Sequence, residues 1–211
     1  MIEFGTLYHN CSISELLQKL KSYFSSHQQI YSHAEMPEHG PSIRVINATE
    51  IKSLTLQKYL AQRRIPLVLA EQNCRQVEYN LNGNIFTAIA FKNNAGGYEL
   101  RSQNFKGSAS PKDVSFIDNG AKEVAVLEGF FDFLSLLKIN QTNQQILTNF
   151  LVLNSLAFFE KSRSIIEKHE TINLYLDRDD AGIKCTQKAL EWDQKYIDRS
   201  DLYKDFKDLN E

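Results

Sequence analysis

The chain has 211 residues, 42% of them hydrophobic and 11% aromatic, enough for one substantial core or for a medium domain with a smaller appendage. No apolar run reaches the ~18 residues that span a bilayer, and the start MIEFGTLYHN lacks the basic and apolar regions of a secretion signal, so a membrane protein is excluded and a cytoplasmic one expected. A formal net charge of -2 excludes coating of nucleic acid by bulk electrostatics, and Cys11, Cys74 and Cys185, far apart and without ligand spacing, exclude a disulfide framework and a zinc site.

Residues 12–24, SISELLQKLKSYF, predict an amphipathic helix opened by a capping box of Ser12 and Glu15, with Leu16, Leu17, Leu20 and Phe24 on one face. The polar, Pro- and Gly-containing stretch after it reads as a linker, with a domain boundary near residues 25–45. His27, His33 and His39 lie there without carboxylate or cysteine partners at ligand spacing, and are read as surface histidines. TLQKYLAQRRIPLVLAEQNC then predicts a helix, a turn at Ile65-Pro66 and a second short helix. From Val77 the period changes to two. Turns at Asn82-Gly83 and at NNAGG, where Gly96 and Gly97 are expected to supply positive φ, divide this segment into a β-meander of about three strands.

From residue 123 strands and helices alternate: EVAVLE, GFFDFLSLLKI, NFLVLNS, LAFFEKSRSIIEKH, TINLYLD and AGIKCTQKALEWDQ. Near-continuous apolar strands between helical segments predict βαβ units, a mainly parallel sheet and helices covering it. The division expected is a helix and linker over 1–45, a small α+β subdomain over 46–120 and an α/β domain over 121–211.

Ligands of such sheets bind beyond the carboxyl ends of the strands, and that is where the acids fall. EVAVLE ends at Glu128, with Asp132 one helical turn further on, and TINLYLD ends at Asp177, with Asp179 two residues beyond. Asp180 is read as the N-cap of the helix that follows. At about 4 Å and an effective dielectric of ~20 each like-charge pair costs about 4 kcal/mol. Were the two strands neighbours, Glu128, Asp132, Asp177 and Asp179 would meet, and a hard divalent cation with oxygen ligands, above all Mg²⁺, would relieve the repulsion. Basic residues gather around Lys52, Lys58, Arg63 and Arg64, and again at Arg101, Lys106 and Lys112; each cluster alone reads as a solvated face.

Taken together these residues resemble the Toprim domain of bacterial primases, topoisomerases and small nucleases. The primase branch is matched best: EGFFD corresponds to its EG-x-x-D turn, DRDDAG to its D-x-D-x-A-G motif, Pro111-Lys112 to its proline-lysine element and KDLNE at 207–211 to its KDPDE-like element. The chain is similar to Toprim proteins of Bacteroides-type mobile elements. IEFGTLYHNCSISELLQKL resembles the end of a primase zinc module whose ligands would precede Met1, which implies a truncated chain.

The resemblance implies a Toprim-like, Rossmann-like fold preceded by the α+β subdomain, and a Mg²⁺- or Mn²⁺-dependent nucleotidyltransferase that makes primers on single-stranded DNA from nucleoside triphosphates, with a replicative helicase as a partner. It assigns the cations to Asp177, Asp179 and Asp132, the metal site or general base to Glu128, and template or triphosphate contacts to Arg101, Lys106 and Lys112. Rival readings are a Toprim nuclease with the same acids, a non-catalytic nucleic-acid-binding remnant, and a haloacid dehalogenase-type phosphatase; the last expects its D-x-D on the first core strand, with a long domain downstream. Tyr59, Tyr79 and Tyr98 are expected to pack, not to act as topoisomerase nucleophiles.

Overall fold

The structure, a computed structural model, describes residues 11–16, 18, 43–141 and 147–211. The chain divides into two compact units, Met1–Gly40 and Pro41–Glu211. In the first, the capping box forms as the sequence predicts: the Ser12 N–H donates to Glu15 Oε2 at 2.9 Å, and the Glu15 N–H donates to Ser12 Oγ at 3.3 Å. Most of the rest of the predicted helix, the linker and His27, His33 and His39 lie outside the described residues.

The described part of the second unit holds two five-stranded sheets. The first is an antiparallel meander in sequence order: β1 (Arg44–Thr49), β2 (Arg75–Leu81), β3 (Asn84–Lys92), β4 (Tyr98–Ser102) and β5 (Phe105–Ala109). Between β1 and β2 stand helices α1 (Leu54–Gln62) and α2 (Leu67–Asn73). Alternation decides the faces of β3. Ala88 and Ala90 pack with Val77, Tyr79 and Leu100, while Ile89 and Phe91 join the core under Leu56, Leu60 and Leu69 of the two helices.

The sequence yields about three of these five strands. β1 is an edge strand exposed at five of its six positions, and β5 is short and holds Gly107, so neither shows the alternation that marks a half-buried strand. The turns need their small residues for different reasons. Asn82 and Gly83 have φ of 55° and 85°, and Gly96 has φ of 90°. Gly97 is not in that region as expected; instead a Cβ there would come within 2.0 Å of the Pro111 carbonyl oxygen.

The second sheet runs β10 (Tyr196–Asp198), β9 (Thr171–Tyr175), β7 (Glu123–Leu127), β8 (Asn149–Val152) and β6 (Ser115–Ile117). Its strands are parallel apart from the antiparallel edge strand β6. Helices α3 (Phe130–Gln141) and α5 (Asp180–Trp192) follow β7 and β9. The predicted helix over 156–169 is instead two 3-10 turns and one short helix, α4 (Arg163–Ile166). There the Ser162 hydroxyl donates to the Phe158 carbonyl, a side-chain bond that competes with the regular backbone pattern. The fold class is the one expected, an antiparallel α+β subdomain followed by a mainly parallel sheet with helices. Among the described residues no helix is long and apolar enough to cross a membrane.

Candidate active site

β7 and β9 are neighbours, in parallel register with Leu127 opposite Tyr175, so the chain leaves both strands at the same level. β9 ends two residues before the Asp177 of the predicted strand. Freed from the ladder, the Asp177 N–H donates to Glu128 Oε2 at 2.9 Å, joining the two strand ends. Asp132 sits in the first turn of α3, buried, and among the described residues its Oδ1 has no hydrogen-bond partner. Gly129 makes room for it, since a Cβ there would lie 3.1 Å from Asp132 Oδ2.

Asp179, and not Asp180, is the N-cap of α5: its Oδ1 accepts from the N–H groups of Gly182 at 3.0 Å and Ala181 at 3.2 Å. The cap falls one residue early because Asp179 has extended backbone and Asp180 already lies in the first turn.

These acids raise each other's proton affinity. Burial, then the charge of Asp177, pushes the Glu128 carboxyl from its ordinary 4.5 up to about 7. Burial and the charge of Asp208 raise Asp177 as well, and burial with Asp208, Asp177 and Glu128 raises Asp132 well above the usual range. Asp179 moves the other way, held low first by the Gly182 N–H and then by Lys207.

The sequence motifs assign no role to Lys207 or Asp208, although both lie in KDLNE. Lys207 Nζ is 3.2 Å from Asp179 Oδ2 and 3.6 Å from Asp177 Oδ2. The segment is carried to the sheet edge by the Arg178 N–H, which donates to the Lys207 carbonyl at 2.7 Å. Asp208 lines the same cleft as Glu128, Asp132 and Asp177.

That cleft, of about 570 Å³, has a second wall built by α1 and the β4–β5 hairpin. Arg101 and Lys106 line it; Lys112 is exposed and is not among the lining residues. Arg101 is fixed by donating to the Leu100 and Gly107 carbonyls, by Glu99 at 3.5 Å and by the Phe130 ring, 5.6 Å from its guanidinium. Arg63 and Tyr59 also line the cleft, both against Phe131. Only their place at the end of a packed helix puts them there, so charge pattern alone reads Arg63 as solvated.

The donors present are carboxylate oxygens, which suit a hard cation, and the orphaned Asp132 oxygen and the mutual repulsion both call for one. Among the described residues no three His, Cys, Asp or Glu groups form a ready-made cage. A cation held by one or two carboxylates, with water and substrate phosphate completing its shell, is the pattern Mg²⁺ commonly adopts.

Residues 125–211, which hold this acidic strand-end site, match the family model described as Toprim-like. Residues 45–110 match a second model, described as a domain of unknown function, DUF8464. Among solved structures the chain is similar to the primase fragment of the bacteriophage T7 primase-helicase protein, at 17% identity and a TM-score of 0.56, covering 90% of this chain and 79% of that one. It is also similar to a chain from the bacteriophage T7 lagging-strand DNA polymerase interacting with primase domains bound to an RNA/DNA hybrid and dTTP, at 17% identity and a TM-score of 0.50, covering 66% and 76%. The zinc-binding and RNA polymerase domains of the Aquifex aeolicus primase match at 16% identity and a TM-score of 0.42, covering 90% and 60%. No curated protein sequence matches the chain. Residues 125–211 are therefore similar to the Toprim-like family, within a fold similar to that of the phage T7 primase fragment.

Proposed function

We propose that the protein is a DNA primase-type nucleotidyltransferase that joins nucleoside triphosphates into a primer on a single-stranded DNA template, using Mg²⁺ or Mn²⁺. We place it in the replication or mobilisation of a mobile genetic element, with a replicative helicase as a partner. The observation that supports this reading most is the bond from the Asp177 N–H to Glu128 Oε2, which brings the EG turn and the DxD together at one strand edge, facing a basic wall. A phage T7 structure of similar fold is described with an RNA/DNA hybrid and dTTP, ligands that suit a cleft with acids on one side and cations on the other.

In this reading Asp177, Asp179 and Asp132 border the cation beside Glu128, and one or two of their carboxylates would ligate it directly while water and substrate phosphate complete its shell. When bound, it supplies positive charge to the phosphate being transferred and to the leaving oxygens. Glu128 Oε2 is fixed by the Asp177 N–H, which leaves Oε1 to accept the proton of the attacking 3′-hydroxyl; a carboxyl whose proton affinity lies near neutrality suits that task. Arg101, already oriented by two carbonyls, and Lys106 hold triphosphate oxygens, and the exposed Lys112 meets the template outside the cleft. Residues 46–120 thus supply the basic wall and 121–211 the acidic edge.

The test is primer synthesis on single-stranded DNA with Mg²⁺ or Mn²⁺, with the wild-type chain and Asp177→Ala side by side. Incorporation that depends on Asp177 is expected, and incorporation that survives its loss overturns the assignment. Nicking of plasmid without nucleotides would assign the same acids to cleavage.

A further inference from the structure

Counting the oxygens of Asp179 exposes a conflict at the acidic edge. Oδ1 is committed to the cap of α5, where it accepts from Ala181 and Gly182. Any cation that uses Asp179 without opening that cap must use Oδ2, and Lys207 Nζ already lies 3.2 Å from it. The same ammonium is 3.6 Å from Asp177 Oδ2. Among the described residues these are the ion pairs that Asp177 and Asp179 make. A metal ion on that one free oxygen would sit against the ammonium, and the repulsion between them makes the lysine and a metal ion competitors for it.

The surroundings of Lys207 suit an exchange. Its main chain is pinned: the Arg178 N–H donates to its carbonyl, and its own N–H donates to Glu211 Oε2 at 3.0 Å. Asn210 ties the same segment to the Arg63 carbonyl and to Ser135 Oγ. The side chain, by contrast, is 53% exposed, and both its N···O distances exceed the ~2.7–2.9 Å of tight charge-assisted bonds. Leaving the acids takes a side-chain rotation into water, with no movement of the backbone.

We propose that Lys207 is the resident counter-ion of the Asp177–Asp179 pair, and that a divalent cation loads by displacing its ammonium group. The proposal rests on reading this edge as a cation site. Lys207 is then a positioning residue that sets the metal concentration at which the site fills, and holds the acids together until it does.

Binding of Mn²⁺ to the full chain, followed by the paramagnetic resonance of the free ion with no nucleotide present, tests the exchange. Lys207→Met is expected to bind about fivefold to tenfold more tightly than wild type, the scale of one or two partly exposed ion pairs, and Lys207→Arg to stay within about twofold of it. Equal or weaker binding by Lys207→Met overturns the proposal. A measurement on the wild type needs no variant to fold: amine labelling read by mass spectrometry is expected to rise severalfold at Lys207 over the same Mn²⁺ range, and labelling unchanged at saturating Mn²⁺ overturns the exchange. Tighter binding by Lys207→Met in a chain that makes no primer would keep the exchange and remove only the enzymatic reading, whereas absence of Mn²⁺ binding in every variant removes both.

Discussion

A Cβ on Gly182 would lie 2.0 Å from the Asp177 carbonyl oxygen and 2.9 Å from its carbonyl carbon. Both are main-chain atoms of the residue that anchors the site, so neither can yield without moving Asp177. Gly182→Ala is expected to cost about 1–3 kcal/mol in urea denaturation and to weaken metal binding with it; a loss below ~0.5 kcal/mol would show that the packing is looser than these distances. Glu128 carries a prediction of opposite character. Its folded-state pKa of about 7 lies above its ordinary 4.5, so the folded protein binds this proton more tightly than the unfolded chain. The resulting stability is present below about pH 4.5 and is lost as pH rises to about 7. Metal-free protein should therefore unfold at lower urea at pH 8 than at pH 5, and Glu128→Gln should flatten that slope; equal slopes in the two proteins would assign it elsewhere. Glu128 and Asp177 were legible in the sequence because each closes an apolar run. Lys207 and Asp208 stand in a recognised motif, but the return of that segment to the sheet edge is a long-range fact that no local period records.

At the scale of elements, the DxD belongs half to the site and half to the helix after it. Asp179 caps α5 through Oδ1 while Oδ2 faces Lys207, and separate substitutions can divide the two roles. Asparagine keeps a capping oxygen and removes the charge; alanine removes both. Asp179→Ala is expected to lose about 1 kcal/mol of stability, Asp179→Asn only a few tenths, and both to lose Mn²⁺ affinity alike. Should Asp179→Asn unfold as easily as alanine, charge and not the cap would be what the helix needs. The sequence places this helix correctly and misplaces its cap by one residue, because three aspartates in four positions are equally good caps and only the backbone turn chooses among them. The segment over 156–169 fails for a related reason: its apolar spacing fits a helix, while Ser162 turns a hydrogen bond back on the chain. Strands with both faces buried, such as β7 and β8, were plain as apolar runs, whereas the exposed edge strand β1 carries no such signal.

At the scale of the whole molecule, the proposed phosphate chemistry requires the acidic edge and the basic wall to keep a fixed separation. Asn210 spans them. Its Nδ2 donates to the Arg63 carbonyl at the end of α1, at 2.9 Å, and to Ser135 Oγ on α3, at 2.8 Å, from a side chain that is 8% exposed. Buried hydrogen bonds of this kind are worth about 1 kcal/mol each, and a carbonyl left unpaired costs about 1–3 kcal/mol. If the donation from Nδ2 is what joins the walls, aspartate, though similar in shape, must be at least as harmful as alanine: it offers oxygens to two oxygen partners and adds a charge near Asp132 and Asp208. The expected order of stability is therefore wild type, then Asn210→Ala, then Asn210→Asp, with the nucleotide KM rising more than kcat falls as the basic wall loses its register on the acids. A purely packing role for Asn210 predicts the reverse order, with aspartate nearly neutral and alanine worst, so two variants and one denaturation curve each decide the matter.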